Sequence, residues 1–318
     1  MDTHTYHPED REKWDKFVRG SKNGTFLFLR DYMDYHSDRF LDHSLIVQDD
    51  NGRVKSVMPA NRSGDVLLSH AGLTYGGFVT DEGMTAPRMK EVFECAIRYL
   101  AARGVSRLIY KTVPHIYHSQ PAEEDIYFLL LHNASLFRRD VLSVIDYRQR
   151  LKFQERRLRA IRKARGRQLT VRKTDDYPEF WEILTGNLYN VYGLRPVHSL
   201  SEIRLLASRF PEEIRLFATY DGSGSMQAGA VVYLSPNVCH IQYNAASEEG
   251  KSNGALDILV DHLIEYYGES RRYFDFGVST EDGGRHLNVG LVDYKEGFGA
   301  RTIAHDFYEL TISRAVGE

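Results

Sequence analysis

Cysteine is nearly absent: Cys95 and Cys239 are the only two in 318 residues. Their separation fits neither a metal-ligand spacing nor a redox pair. Cys95 falls within a helical pattern and Cys239 at the start of a strand, so both read as small buried hydrophobes. Net charge is scarce as well, at −3, which excludes a global field drawing the chain to nucleic acid or membrane. No apolar run approaches the roughly 20 residues needed to span a bilayer. The opening MDTHTYHPEDREKW is polar and acidic, without a signal-peptide pattern. The expectation is a cytoplasmic protein with no membrane span and no metal.

What is present is material for large cores. Tyr and Phe number 20 and 16, and hydrophobic residues make up 42% of the chain. At this length two domains are expected.

The chain also repeats itself once. Met89, Val92, Phe93, Ala96, Ile97 and Leu100 follow Pro87; Leu256, Leu259, Val260, Leu263, Ile264 and Tyr267 follow Gly254. Both sets occupy one face of an amphipathic helix. Each helix is expected to stop at a glycine, Gly104 or Gly268, in a left-handed cap. Each is followed by a β-rich run, 107–113 or 273–279. Upstream of each lie a hairpin signal, at Asn51-Gly52 or Gly222–Gly224, and one further strand. Both halves therefore read strand, strand, strand, loop, helix, strand.

Between the halves, residues 148–173 hold twelve Lys or Arg and a single Glu. The spacing of Leu151, Leu158, Ile161 and Ala164 allows a connecting helix with a thin apolar face. Its charge suits either solvation or a phosphate-rich ligand or RNA.

A strand, a loop of small residues and a helix start resemble the acetyl-CoA-binding element of the GNAT acyltransferases. The stretch concerned is Gly250, Lys251, Ser252, Asn253, Gly254 and Ala255. Tyr294, Gly297 and Phe298 resemble the family's Tyr-x-x-Gly-Phe segment. The ending from Phe274 to Ala300 is similar to the C-terminal module of FemAB-like tandem GNAT proteins. The resemblance implies an α/β fold with a mixed sheet, built as two tandem GNAT-like modules. They would span 1–147 and 174–318, with 148–173 as a basic connecting helix and the donor site in the C-terminal module. Pro87 stands where Gly254 stands in the second half; it lacks an N–H and brings a ring toward the phosphate position. The N-terminal module is therefore expected to lack a donor site.

The implied activity is N-acyl transfer, with acetyl-CoA as donor and an amino-sugar or other cell-envelope polysaccharide precursor, possibly nucleotide-linked, as acceptor. The same group includes aminoacyl-tRNA-dependent transferases that build peptidoglycan cross-bridges, so tRNA is the alternative donor. A non-catalytic binding module is the third reading. By family position Tyr294 would protonate the leaving thiolate, and the backbone at Tyr243, Asn244 and Ala245 would hold the oxyanion. For the base, His240 has a suitable titration range, with Asp275, Glu281 and His305 as rivals. Tyr189, Tyr192, Arg195 and His198, ahead of a Ser199–Glu202 helix start, would line the acceptor.

Overall fold

The computed structural model describes residues 1–313, without the side chains of Val191 and Tyr192. Tyr192, expected at the acceptor, thus has its side chain outside the described residues. Two compact units divide the chain. The first takes residues 1–140, 283–285 and the chain from 304; the second takes 141–282 and 286–303.

The first unit contains β1 (Asp2–Thr5), α1 (Arg11–Arg19), α2 (Arg30–Met33), β2 (Leu45–Gln48) and β3 (Val54–Met58). It continues through β4 (Asn61–Ser63), β5 (Val66–Leu68), β6 (Val79–Thr80), α3 (Ala86–Ala102), β7 (Arg107–Lys111) and α4 (Glu124–Leu131). Strand β8 (Ser135–Asp146) begins in it and ends in the second unit. The Asn51-Gly52 turn forms as expected: Gly52 has φ +73°, and β2 pairs antiparallel with β3. The single strand expected next is two short ones, β5 and β6, because the segment between them follows its own path. Lys111 holds that segment, its Nζ donating to the carbonyls of His70, Ala71 and Leu73 at 2.9, 3.4 and 2.6 Å. Helix α3 buries Met89, Val92, Phe93, Ala96 and Leu100, the face that periodicity marks out.

Three histidines of this unit are held neutral. Burial pushes His70 down to about 3 and His118 and His305 to about 4. His118 and His305 each place Nε2 on a backbone carbonyl, that of Val113 or Thr112, at 3.0 Å. Their ordinary value is 6.5, so between pH 6.5 and about 4 the unfolded chain binds more protons and stability falls with pH. The urea midpoint is expected to drop on acidification through this window, and less steeply in His305→Gln. An equal slope in the variant would remove His305 from the account.

The second unit contains α5 (Glu155–Gly166), β9 (Thr170–Thr174), α6 (Tyr177–Tyr192), α7 (Leu200–Arg209), β10 (Ile214–Tyr220) and β11 (Met226–Leu234). Then come β12 (Val238–Ala246), α8 (Glu248–Asn253), α9 (Ala255–Tyr267), β13 (Tyr273–Val278), the short pair β14 (Thr280–Glu281) and β15 (His286–Leu287), and α10 (Val289–Glu296). Strand β16 (Arg301–Thr311) leads out of it. Its sheet runs β8-β13-β12-β11-β10-β9, antiparallel except for β12 beside β13. Helix α6 covers one face and α9 the other. Every residue of β11 is buried, as its run MQAGAVVYL, apolar but for Gln227, requires of a strand covered on both sides. Ser199 and Glu202 form the expected capping box on α7. Gly268 differs from expectation: its φ is −60°, so α9 ends without a left-handed cap.

The stretch 148–173 is not one connecting helix. It is α5 followed by β9, an edge strand of the second unit's own sheet. Helix α5 packs along α9 and is fastened by charge. Asp257, Asp261 and Glu265 recur every four residues on α9; Arg157 and Arg165 of α5, and Arg150 ahead of it, meet them at 2.8, 2.9 and 2.5 Å. Gly254 makes the close approach possible. At φ +84°, a Cβ there would lie 2.4 Å from the Ala160 carbonyl oxygen. Gly254→Ala should therefore cost about 3 kcal/mol through backbone strain and displaced α5. Gly222→Ala, with nothing within 4 Å of the added carbon, should cost nothing. Equal unfolding midpoints for the two variants would refute this packing argument.

Candidate active site

Two local irregularities open the second unit's sheet. Strands β12 and β13 pair in parallel only from Val238–His240 to Tyr273–Asp275. Beyond that, β12 carries a bulge: Val231 opposes Tyr243 and Val232 opposes Ile241, leaving Gln242 extra. Such a bulge bends its strand. On the other side β13 turns at Gly277, φ +76°, with a register shift against β8 between Asp275 and Val278. Only glycine takes that backbone conformation without strain. The two strands therefore part, and 241–246 loses its ladder on the β13 side while keeping β11 on the other.

At the fork sits a chain of buried polar groups. His240 Nδ1 lies 2.9 Å from Asp275 Oδ2. Asp275 is 1% exposed, and its Oδ1 accepts from the Gly277 N–H at 2.7 Å. A buried carboxylate on Nδ1 selects the tautomer with Nδ1 protonated and Nε2 left as acceptor. Nε2 has no hydrogen-bond partner among the described residues. Beside them Lys295, on α10, donates to the carbonyls of Gly277 and Val278 at 3.0 and 2.7 Å and to Ser279 Oγ at 2.9 Å. Burial pushes its amine down to about 8, against the opposing pull of Asp275. Ser143 Oγ meets Ser279 Oγ at 3.1 Å. An oriented imidazole with a free nitrogen, next to unpaired strand backbone, can accept a proton from a nucleophile while N–H groups hold an oxyanion.

The structure thus joins His240 and Asp275, which the sequence offered as rivals. It also joins Tyr243 to His198: Tyr243 Oη lies 2.6 Å from His198 Nδ1, and Trp181 Nε1 donates to the His198 carbonyl at 3.3 Å. Tyr243 opposes Val231 and His240 opposes Tyr233, so both project from the sheet face that α6 covers. Asn244 and Ala245 lie on β12 past the bulge, opposite Ala230 and Gly229. Tyr189 and Arg195 are exposed at and beyond the end of α6. Glu281 is exposed and accepts from Asn288 Nδ2 at 2.7 Å. His305 belongs to the first unit.

Tyr294 is elsewhere. Its ring packs on Phe298 and beneath the Arg157 guanidinium, 4.8 Å from the ring centre. Its hydroxyl is buried with no hydrogen-bond partner, and burial raises it far above the usual tyrosine range. It makes no hydrogen bond to His240 or Asp275.

The stretch expected to cradle a pyrophosphate is the end of helix α8 and its left-handed junction with α9 at Gly254, not an open loop. Ser247 caps it, taking the Gly250 N–H on its Oγ at 2.9 Å and the Lys251 N–H on its carbonyl. Ser252 Oγ turns back to the Glu249 carbonyl and Lys251 pairs with Glu248. The Gly254 N–H goes to the Gly250 carbonyl and the Ala255 N–H to Asn253 Oδ1. Lys163 of α5 reaches the Ser252 carbonyl at 2.7 Å.

Residues 146–296, which contain His240, Asp275 and Lys295, match the acetyltransferase (GNAT) domain. Over the full chain the solved structure of FemX superposes with a TM-score of 0.68 at 14% identity, covering 98% of this chain and 97% of FemX. The chain thus shares the FemX fold over its length, and within it residues 146–296 are similar to the GNAT acetyltransferase domain. L-PGS from Bacillus licheniformis has a TM-score of 0.60 at 12% identity, covering 99% and 94%. A conserved protein from Bacteroides thetaiotaomicron gives 0.59 at 13%, covering 98% and 99%. No curated protein sequence matches the chain.

Within this stretch, sequence reasoning missed Lys295, Gly277 and Gln242. Gly277 had a signal, a glycine interrupting the strand run YFDFGVS. Lys295 had none, since a lysine in a helix's last turn is usually a solvated charge. Tyr294→Phe deletes an unsatisfied buried hydroxyl and should raise stability by about 1 kcal/mol. A loss of stability in that variant would mean the hydroxyl has a partner.

Proposed function

We propose that this GNAT domain transfers an aminoacyl group from aminoacyl-tRNA to an amine acceptor, in the manner of the peptidoglycan cross-bridge transferases. The observation that carries the proposal is the packing of α5 across the start of α9. A CoA pyrophosphate needs several free N–H groups and room at a helix N-terminus. Here the N–H groups of Gly250, Lys251, Gly254 and Ala255 have partners, and the Ala160 carbonyl stands over Gly254. An aminoacyl ester on tRNA makes no such demand. Lys152, Arg159 and Arg167 remain exposed, with no carboxylate partner among the described residues, and suit an RNA backbone. The likeness to the FemX fold agrees with this reading.

In the proposed reaction, the acceptor amine attacks the ester carbonyl and a new amide bond forms. His240 Nε2 takes the proton the amine loses, and Asp275 stabilises the resulting imidazolium. N–H groups of the parted β12, around Tyr243 to Ala245, hold the carbonyl oxygen as its charge develops. The ester C–O bond then breaks, and the leaving 3′-oxygen of the tRNA recovers a proton from His240.

Equilibrium titrations with aminoacyl-tRNA and with acetyl-CoA test the donor. Binding of the tRNA that weakens steeply with salt, with no thermal shift from acetyl-CoA, is the expected result. Saturable acetyl-CoA binding at one site per chain would overturn the proposal in favour of a CoA-dependent N-acyltransferase.

A further inference from the structure

We propose that Lys295 is a positioning residue for His240, acting through the turn of β13 and not by touching the reacting atoms. The inference rests on His240 as the proton acceptor of the proposed acyl transfer.

The contacts form an unbroken series. The amine of Lys295 donates its three hydrogens to the carbonyls of Gly277 and Val278 and to Ser279 Oγ. Those acceptors are consecutive, so one ammonium clamps the backbone where β13 leaves β12. Gly277 within the clamp gives its N–H to Asp275 Oδ1, which presents the other oxygen to His240 Nδ1. Gly277 also backs the imidazole: a Cβ on it would lie 3.1 Å from His240 Cε1. The orientation of the ring thus depends on a backbone turn, and the turn depends on one side chain of a different element.

Holding carbonyls does not by itself call for a buried ammonium, whose desolvation is costly. Lys111 of the first unit clamps three backbone carbonyls in a similar manner. It has no carboxylate–imidazole pair among its hydrogen-bond partners, and so serves as the example of a purely structural clamp. At Lys295 the same clamp is continuous with a carboxylate and a histidine. Its burial lowers the amine to about 8, and the nearby Asp275 charge opposes that fall.

The test is the tautomer of His240, read from the ring 15N shifts at neutral pH and assigned with His240→Gln. In the full-length wild-type chain one tautomer is expected, protonated on Nδ1. Lys295→Met keeps the stem and deletes the clamp; a mixture with the Nε2-protonated form should appear. Lys295→Gln, milder and more certain to fold, should show the same mixing, because it lacks the charge and at least one of the three bonds. Lys295→Arg should restore the single tautomer. Lys111→Met should lower thermal stability and leave the His240 signals unchanged. Where turnover can be followed, kcat of Lys295→Met should fall about 100-fold with KM little changed.

A folded Lys295→Met or Lys295→Gln chain that keeps the wild-type tautomer overturns the proposal and leaves Lys295 a structural clamp like Lys111. The tautomer is read without donor or acceptor. An inactive wild-type protein with the predicted shifts would therefore count against aminoacyl transfer and not against the role of Lys295.

Discussion

The parting of β12 from β13 is the constraint on which the second unit's candidate site depends. Sheets bury polar backbone by pairing it, so an interior strand that loses its neighbour exposes N–H and C=O groups where they cannot simply be left. Two devices act together at this fork: an inserted residue, Gln242, on one strand and a left-handed turn at Gly277 on the other. Either alone would only kink a strand. Together they create unpaired backbone beside an imidazole and a carboxylate that are nearly out of solvent. That combination, and not any single residue, makes an acyl-transfer reading physically reasonable.

The second organising contact is between α5 and α9. A run of basic residues looks, in isolation, like a surface for phosphates. In the folded unit, Arg150, Arg157 and Arg165 are taken up by an acidic stripe on α9. The helix dipole end that could attract an anion is covered in the same step, because a glycine at 254 lets the Ala160 carbonyl come close. Lys152, Arg159 and Arg167 stay exposed, with no carboxylate partner among the described residues.

Much of the fold was legible beforehand. The 3.6-residue periodicity of 89–100 and 256–267 marked α3 and α9, since burial of one helical face leaves a pattern in any sequence. The Asn51-Gly52 turn and the Ser199–Glu202 capping box were equally visible, because both depend on contacts within a few residues. Gly268 shows the limit of local reasoning. A glycine after a helix suggests a left-handed cap, yet here the chain continues right-handed beneath Tyr147, whose ring carbon would lie 3.3 Å from an added Cβ.

The site was legible only as a set of residues. Sequence alone determined the helical faces, the local turns and the presence of a histidine and an aspartate on successive strands, because those properties follow from short-range backbone preference and burial. It could not say that His240 and Asp275 are one pair, that Lys295 turns inward to β13, or that Tyr294 turns away into the core. Nor could it say that 250–255 is a helix-to-helix junction closed by its own hydrogen bonds and not an open cradle. Those facts depend on which strands lie side by side, how far they stay together and which helix lies over which end. Such relations join residues 100 or more positions apart, as Arg157 and Asp257 are, and only the tertiary structure decides them.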